Sequence, residues 1–218
     1  MPEASIRPPR RAPIGNTGGS GRVVELSRPY SSEEDLVQGV MQRHPAAIAE
    51  LFDRFASHVR RTLIRTLGTD HDVDDLTQET FIAVIRRCST LRDPSALRSF
   101  VVSVAIRLAR NELRKRSIRR FVGLADDVQV PCAGPHDAEL AEGLRHLYDA
   151  IDRLGTEARL AFVLRHVEGY DLADTARLCG CSLATIKRRL AKAQAKFETI
   201  AGGDPVLREL LQCTGGDA

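Results

Sequence analysis

From Ser31 onward, the apolar residues of this chain recur at three- and four-residue spacings, the period of helices buried along one face. The first stripes are Leu36, Val37, Val40 and Met41; Ile48, Leu51, Phe52, Phe55, Val59 and Leu63; Val73, Leu76, Thr80, Phe81, Val84, Ile85 and Cys88; and Leu97, Val101, Val104 and Leu108. They predict a compact helical domain over residues 31–116. The period fails over 117–139, where "ADDVQVPCAGPHDAE" gathers Pro131, Gly134 and Pro135, and a flexible linker is expected there. It returns at Leu140, Leu144, Leu147, Ile151 and Leu154, then at Leu160, Val163, Leu164 and Val167, predicting a second helical domain over 140–200. In the tail, 201–218, only Val206, Leu207, Leu210 and Leu211 could make a short helix. Residues 1–30 hold nine Pro or Gly and five Arg against two Glu, with no period, and are expected to be a disordered basic arm. No strand alternation and no internal repeat are found, so the fold class is all-α, two small helical domains joined by a linker.

Composition narrows the picture. A chain of 218 residues with 43% hydrophobic content can hold one or two domains. No apolar run approaches the ~18 residues that cross a bilayer, and the basic N-terminus lacks the apolar stretch of a signal peptide. Five cysteines without framework spacing fit a reducing compartment, so a cytoplasmic protein is expected.

Against a formal net charge of +3, the stretch "DVDDLTQETFIAVIRR", Asp72 to Arg87, is acidic. Asp72, Asp74 and Asp75 fall where carboxylates cap free N–H groups and suit the helix dipole. Gln78 and Glu79 carry the polar face a further turn inward, beyond what capping needs. The DxDD spelling also occurs at acid or metal sites that enclose a carbocation in an aromatic cavity, but this chain has no Trp and only 5% aromatics. No catalytic residue, metal or cofactor is therefore expected.

The segment "GYDLADTARLCGCSLATIKRRLAKAQAKFE", Gly169 to Glu198, reads as a helix-turn-helix. Asp171 caps a short helix with Leu172, Thr175, Ala176 and Leu178 inward, Gly180 makes the turn, and Ser182 caps the next helix. That helix buries Leu183, Ile186, Leu190 and Phe197 and turns Thr185, Lys187, Arg188, Ala191 and Lys192 outward, where cations reach phosphates and base edges. Cys179 and Cys181, with His166 nearby in sequence, could bind metal, yet Cys179 sits where a core residue belongs. A second basic run, Arg107, Arg110, Arg114, Lys115, Arg116, Arg119 and Arg120, is opposed only by Glu112 and also suits nucleic acid.

An acidic "VDDLTQE" helix, a basic helical end, a linker and a helix-turn-helix closing in "TIKRRLAKAQAKF" together resemble the bacterial sigma factors of the extracytoplasmic-function type, over roughly Ser31 to Phe197. The resemblance implies a region two and a region four with no chemistry of their own and no small-molecule substrate. It implies that Asp72, Asp74, Asp75, Gln78 and Glu79 dock on the clamp helices of the RNA polymerase β′ subunit, and that an anti-sigma factor restrains the protein. By the same resemblance, Arg92, Asp93 and Ser95 of "TLRDPSALRSF" line the pocket for a flipped base of the minus-ten element, with Phe100, Arg107, Arg110 and Arg114 beside it. Arg165, Ser182, Thr185, Lys187, Arg188, Ala191 and Lys192 face the minus-thirty-five element. The chain departs from the family where Phe100, Val101 and Val102 stand for Trp, Leu and Tyr, Ser103 for Arg, and Val104 to Arg107 for "IARN". The competing reading is a stand-alone helix-turn-helix repressor that binds operators as a dimer, and the acidic helix separates the two.

Overall fold

In a computed structural model, residues 30–68, 72–122 and 138–214 are described. The arm over 1–29, the linker segment 123–137 and residues 215–218 lie outside them. The described residues form α1 (Glu33–Met41), α2 (Pro45–Leu67), α3 (Val73–Arg87), α4 (Leu97–Phe121), α5 (Ala138–Asp152), α6 (Thr156–Phe162), α7 (Leu172–Cys179), α8 (Leu183–Gly203) and α9 (Pro205–Thr214). No strand occurs among them, and no described helix is long and apolar enough to cross a membrane.

Local chemistry sets the helix ends. Ser32 accepts from the Asp35 N–H at 3.0 Å to start α1, and Pro45 opens α2, where its missing N–H costs nothing. The α2 helix ends at Gly68, whose φ of 66° permits its N–H to reach the Ile64 carbonyl at 2.7 Å. A Cβ at Gly68 would lie 2.9 Å from Arg159 Nη2 and 3.1 Å from the Tyr148 ring. The orphan carbonyls of this helix end are met by cations: Arg159 Nε donates to Thr66 at 2.6 Å and Arg116 Nη1 to Leu67 at 3.3 Å.

Helices α1 to α4 enclose Leu36, Leu51, Val59, Leu63, Val73, Val84, Val101 and Ile106, all buried. Helix α4 runs to Phe121, past the end expected at Arg116, and its last turns leave Ile118, Phe121 and Val122 exposed. In the second half, α6 opens into a π-type turn over Val163–Val167, where the Glu168 N–H reaches back to the Val163 carbonyl at 2.9 Å. Helix α9 seats Leu207 in a cluster with Ile151, Val163, Ala193 and Phe197. Four residues expected inside are exposed: Met41, Phe52, Val167 and Leu183. Each flanks the true buried line; in α2 that line runs through Ala47, Leu51, Phe55 and Val59, leaving Phe52 to cover Phe81 with ring centroids 4.8 Å apart.

The two halves are not independent. Leu160, Ala161, Leu164, Ala176, Leu178 and Cys179 share one apolar cluster with Ala105, Ala109 and Leu113 of α4. Polar contacts frame this junction. Arg65 pairs with Glu168 at 3.1 Å, Tyr170 Oη lies 3.4 Å from His58 Nε2, and Arg120 pairs with Asp152.

Candidate nucleic-acid and protein-docking surfaces

On α3, Leu76, Thr80, Phe81 and Val84 turn inward, and the Thr77 and Thr80 hydroxyls donate to the carbonyls of Val73 and Leu76 at 2.7 Å. The opposite face exposes Asp75, Gln78 and Glu79, extended by Ile82. Asp72 corrects one expectation, that of a helix cap. It holds the N-cap position without making a side-chain cap, and its carboxylate instead accepts from Arg116 Nη2 at 3.0 Å. Asp74 accepts from Arg60 Nε at 3.0 Å. Asp72 and Asp74 thus have partners within the chain, Asp74 while remaining exposed, and Asp75, Gln78 and Glu79 complete the outward acidic face.

After α3 the chain turns through "RDPSA", where the Asp93 carboxylate accepts from both the N–H and the hydroxyl of Ser95, at 3.0 and 2.7 Å. Arg92, Asp93 and Ser95 are all exposed, and Phe100 packs half-buried against the core. The basic run divides. Arg107 is exposed, while Glu112 is buried and accepts from Arg116 at 3.3 Å and Arg119 at 2.7 Å, with Lys115 3.7 Å away. Arg110 Nη2 donates to the Cys179 carbonyl at 2.8 Å, and Arg114 Nη2 donates to Glu157 at 2.8 Å, both across the junction.

The helix-turn-helix has the local chemistry its sequence requires. Asp171 accepts from the Asp174 N–H at 2.7 Å, Gly180 adopts φ 63°, and Ser182 accepts from the Thr185 N–H at 3.2 Å. Helix α8 buries Ile186, Leu190, Ala193 and Phe197 and exposes Ala184, Lys187, Arg188, Ala191 and Lys192, with Thr185 at the edge. Leu183, expected on the buried side, is exposed because it opens the helix before the packed line begins. Arg165 is exposed and donates to the Tyr170 carbonyl at 2.9 Å. Periodicity gave no sign of Arg189 and Glu157. Arg189 Nη1 turns inward to within 2.9 Å of Glu157.

Cys179 is buried, and burial pushes its thiol up to about 11, so it is a neutral thiol in neutral solution. Among the described residues, no group of three His, Cys, Asp or Glu side chains is placed to hold a metal ion. Cys181, half-buried in the turn, should therefore be carbamidomethylated ahead of Cys179 when the native protein is briefly treated with iodoacetamide at pH 8. Peptide mass spectrometry reads the order, and faster labelling of Cys179 would contradict its place in the core.

Residues 51–119 match the family model described as Sigma-70 region 2, and residues 144–197 that described as Sigma-70, region 4. The ECF RNA polymerase sigma factor SigE of Mycolicibacterium smegmatis is 31% identical over 155 residues, 68% of this chain and 59% of that protein, so the chain spans less than two thirds of this relative. The ferric citrate uptake sigma factor FecI of Escherichia coli is 30% identical over 137 residues, 60% of this chain and 77% of that protein. Among solved structures, the sigma factor RpoE in complex with the anti-sigma factor NepR from Bartonella quintana superposes with a TM-score of 0.55 at 20% identity, covering 70% of this chain and 95% of that one. At that identity the likeness is one of fold.

Proposed function

This chain belongs to the sigma factors of the extracytoplasmic-function type, and from that premise we propose that it binds core RNA polymerase and directs promoter-specific transcription initiation. One observation carries the reading: a single chain presents an exposed acidic face, Asp75, Gln78 and Glu79, and an exposed basic helix face, Lys187, Arg188 and Lys192. A repressor needs only the second. The acidic face docks on the polymerase clamp. Arg92, Asp93, Ser95, Phe100 and Arg107 take the minus-ten element, with Arg110 and Arg114 joining them once released from the junction. Thr185, Lys187, Arg188, Ala191 and Lys192 read the minus-thirty-five element, while Ser182 keeps its capping role and Arg165 lies at the DNA backbone. The protein has no catalytic chemistry or cofactor of its own and works in the cytoplasm. A regulating anti-sigma partner is supported by the shared fold with a sigma factor solved in complex with one.

In vitro transcription with core polymerase and a promoter library tests this. A sequence-defined subset of promoters should be transcribed, and Arg188→Ala should weaken them and relax preference at one upstream position by ~1 to 3 kcal/mol, the worth of a bidentate base contact. Absence of transcripts from every promoter would overturn the reading.

A further inference from the structure

Along α4, Arg110, Asn111 and Arg114 follow Arg107 by three, four and seven residues and so share one helix face with it. That face lines a cavity of about 350 Å³, which Arg189 enters from α8 and Glu157 from α6. Four guanidiniums therefore border one small space, and Glu157 is the single carboxylate among its described lining residues. Like charges at such spacings repel, and one anion does not balance four cations. The space is short of negative charge.

It is short of hydrogen-bond acceptors as well. Glu157 Oε1 accepts from Arg114 Nη2 at 2.8 Å and lies 3.3 Å from Arg110 Nε, while its Oε2 lies 2.9 Å from Arg189 Nη1. Arg110 Nε and Arg189 Nη1 are buried, yet neither is aligned to make a hydrogen bond. Buried donors without acceptors are costly, so two N–H groups of the cavity's own side chains stand ready for an incoming oxygen. Arg107 is exposed at the other end of the stripe, about 10 Å along α4 from Arg114 at ~1.5 Å per residue.

We infer that this cavity is a binding site for a small phosphorylated anion, and that the group it takes is a diphosphate. Arginine suits the class, because its planar fork presents paired N–H donors to phosphate oxygens. The stripe is longer than one tetrahedral oxyanion and matches two joined ones. Small-molecule sites run from ~300 to 1,000 Å³, so the space admits such an anion and is too small for a DNA duplex. No aromatic ring is among the described lining residues, so a nucleobase finds no stacking platform and the diphosphate itself is what is recognised. The site is independent of the sigma-factor reading, since it needs only the cations and the cavity. Because α4, α6 and α8 each contribute, only the folded chain holds the anion, and binding raises the melting temperature.

The test uses the full chain alone with inorganic pyrophosphate, set against sulfate at matched ionic strength so that screening is equal. Calorimetric titration should give one site per chain, at least about tenfold tighter for pyrophosphate than for sulfate. Pyrophosphate at about a hundred times its Kd should raise the melting temperature by roughly 5 to 10 °C. Arg107→Ala removes an exposed cation and should weaken binding roughly tenfold, the low end for a charged hydrogen bond. Arg86→Ala removes the same charge from the exposed end of α3 and should leave binding unchanged. Phenylglyoxal labelling of wild type, read by peptide mass spectrometry, places the anion without any variant: pyrophosphate should protect Arg107 and Arg114 and leave Arg188 reactive. This arm decides should circular dichroism show that Arg107→Ala fails to fold. Absence of pyrophosphate binding, an equal response to sulfate, equal weakening by Arg86→Ala, or protection of Arg188 as strong as that of Arg107 would each overturn the site.

Discussion

Arg159→Ala should destabilise the closed chain by about 3 kcal/mol, the lower end of what breaking a buried ion pair costs. Its side chain is 2% exposed, although it belongs to α6 and reaches across the junction to the end of α2. One nitrogen caps the Thr66 carbonyl at 2.6 Å, and another pairs with Asp152. Burial pulls the guanidinium below its ordinary range while the Asp152 charge opposes that pull. Truncation would leave a buried carbonyl without its donor and lose the packing of the aliphatic stem. The loss stays at the low end because Arg120 still reaches Asp152. For a chain of this length the loss corresponds to roughly 6 to 12 °C in melting temperature. Arg159→Lys should recover only part of it, since an ammonium lacks the planar fork that serves two partners in different directions. Urea unfolding of the three proteins measures this, and a loss below about 1 kcal/mol for the alanine variant would mean that apolar contacts alone hold the junction.

Reversing Asp75 and Glu79 together, Asp75→Lys with Glu79→Lys, should reduce capture by core polymerase at least about a hundredfold, because like charges set against a complementary surface cost several kcal/mol. Both positions are exposed, so the fold should change by no more than about 0.5 kcal/mol per site. Asp72→Asn makes the contrast. Its partner is Arg116 on α4, and that guanidinium is mostly buried, so this change should lower stability and leave docking in place. A pull-down with core polymerase, run beside a melt of each variant, separates the two effects. A folded double variant that is captured as well as wild type would remove Asp75 and Glu79 from the docking surface.

The sequence alone determined most of what is set within one or two turns of chain. Asp171, Gly180 and Ser182 announce a helix-turn-helix because a capping carboxylate, a left-handed glycine and a capping hydroxyl act on their near neighbours. The division of α8 into a packed line and a cationic face follows from the helical period alone. The outward character of Asp75, Gln78 and Glu79 was legible for the same reason. Lines of burial were less certain at helix edges, where Met41, Phe52 and Leu183 are apolar yet exposed, because the period gives the direction of a face but not its width.

Tertiary structure decided which charges are free and which are spent inside the molecule. Asp72 looks like a cap until α4 brings Arg116 to it, a pairing across 44 positions that no local pattern signals. Arg107 and Arg110 stand in the same basic run, yet one is exposed and the other is folded onto the Cys179 carbonyl 69 positions away. Separate periodic blocks on either side of a Pro- and Gly-containing stretch predict two domains, but periodicity does not say whether their faces meet. Here they do, through Ala105, Ala109 and Leu113 against Leu160, Leu164 and Leu178. The reason is physical: caps and helical faces depend on neighbours fixed by chain connectivity, whereas the partner of a long charged side chain depends on where distant helices pack.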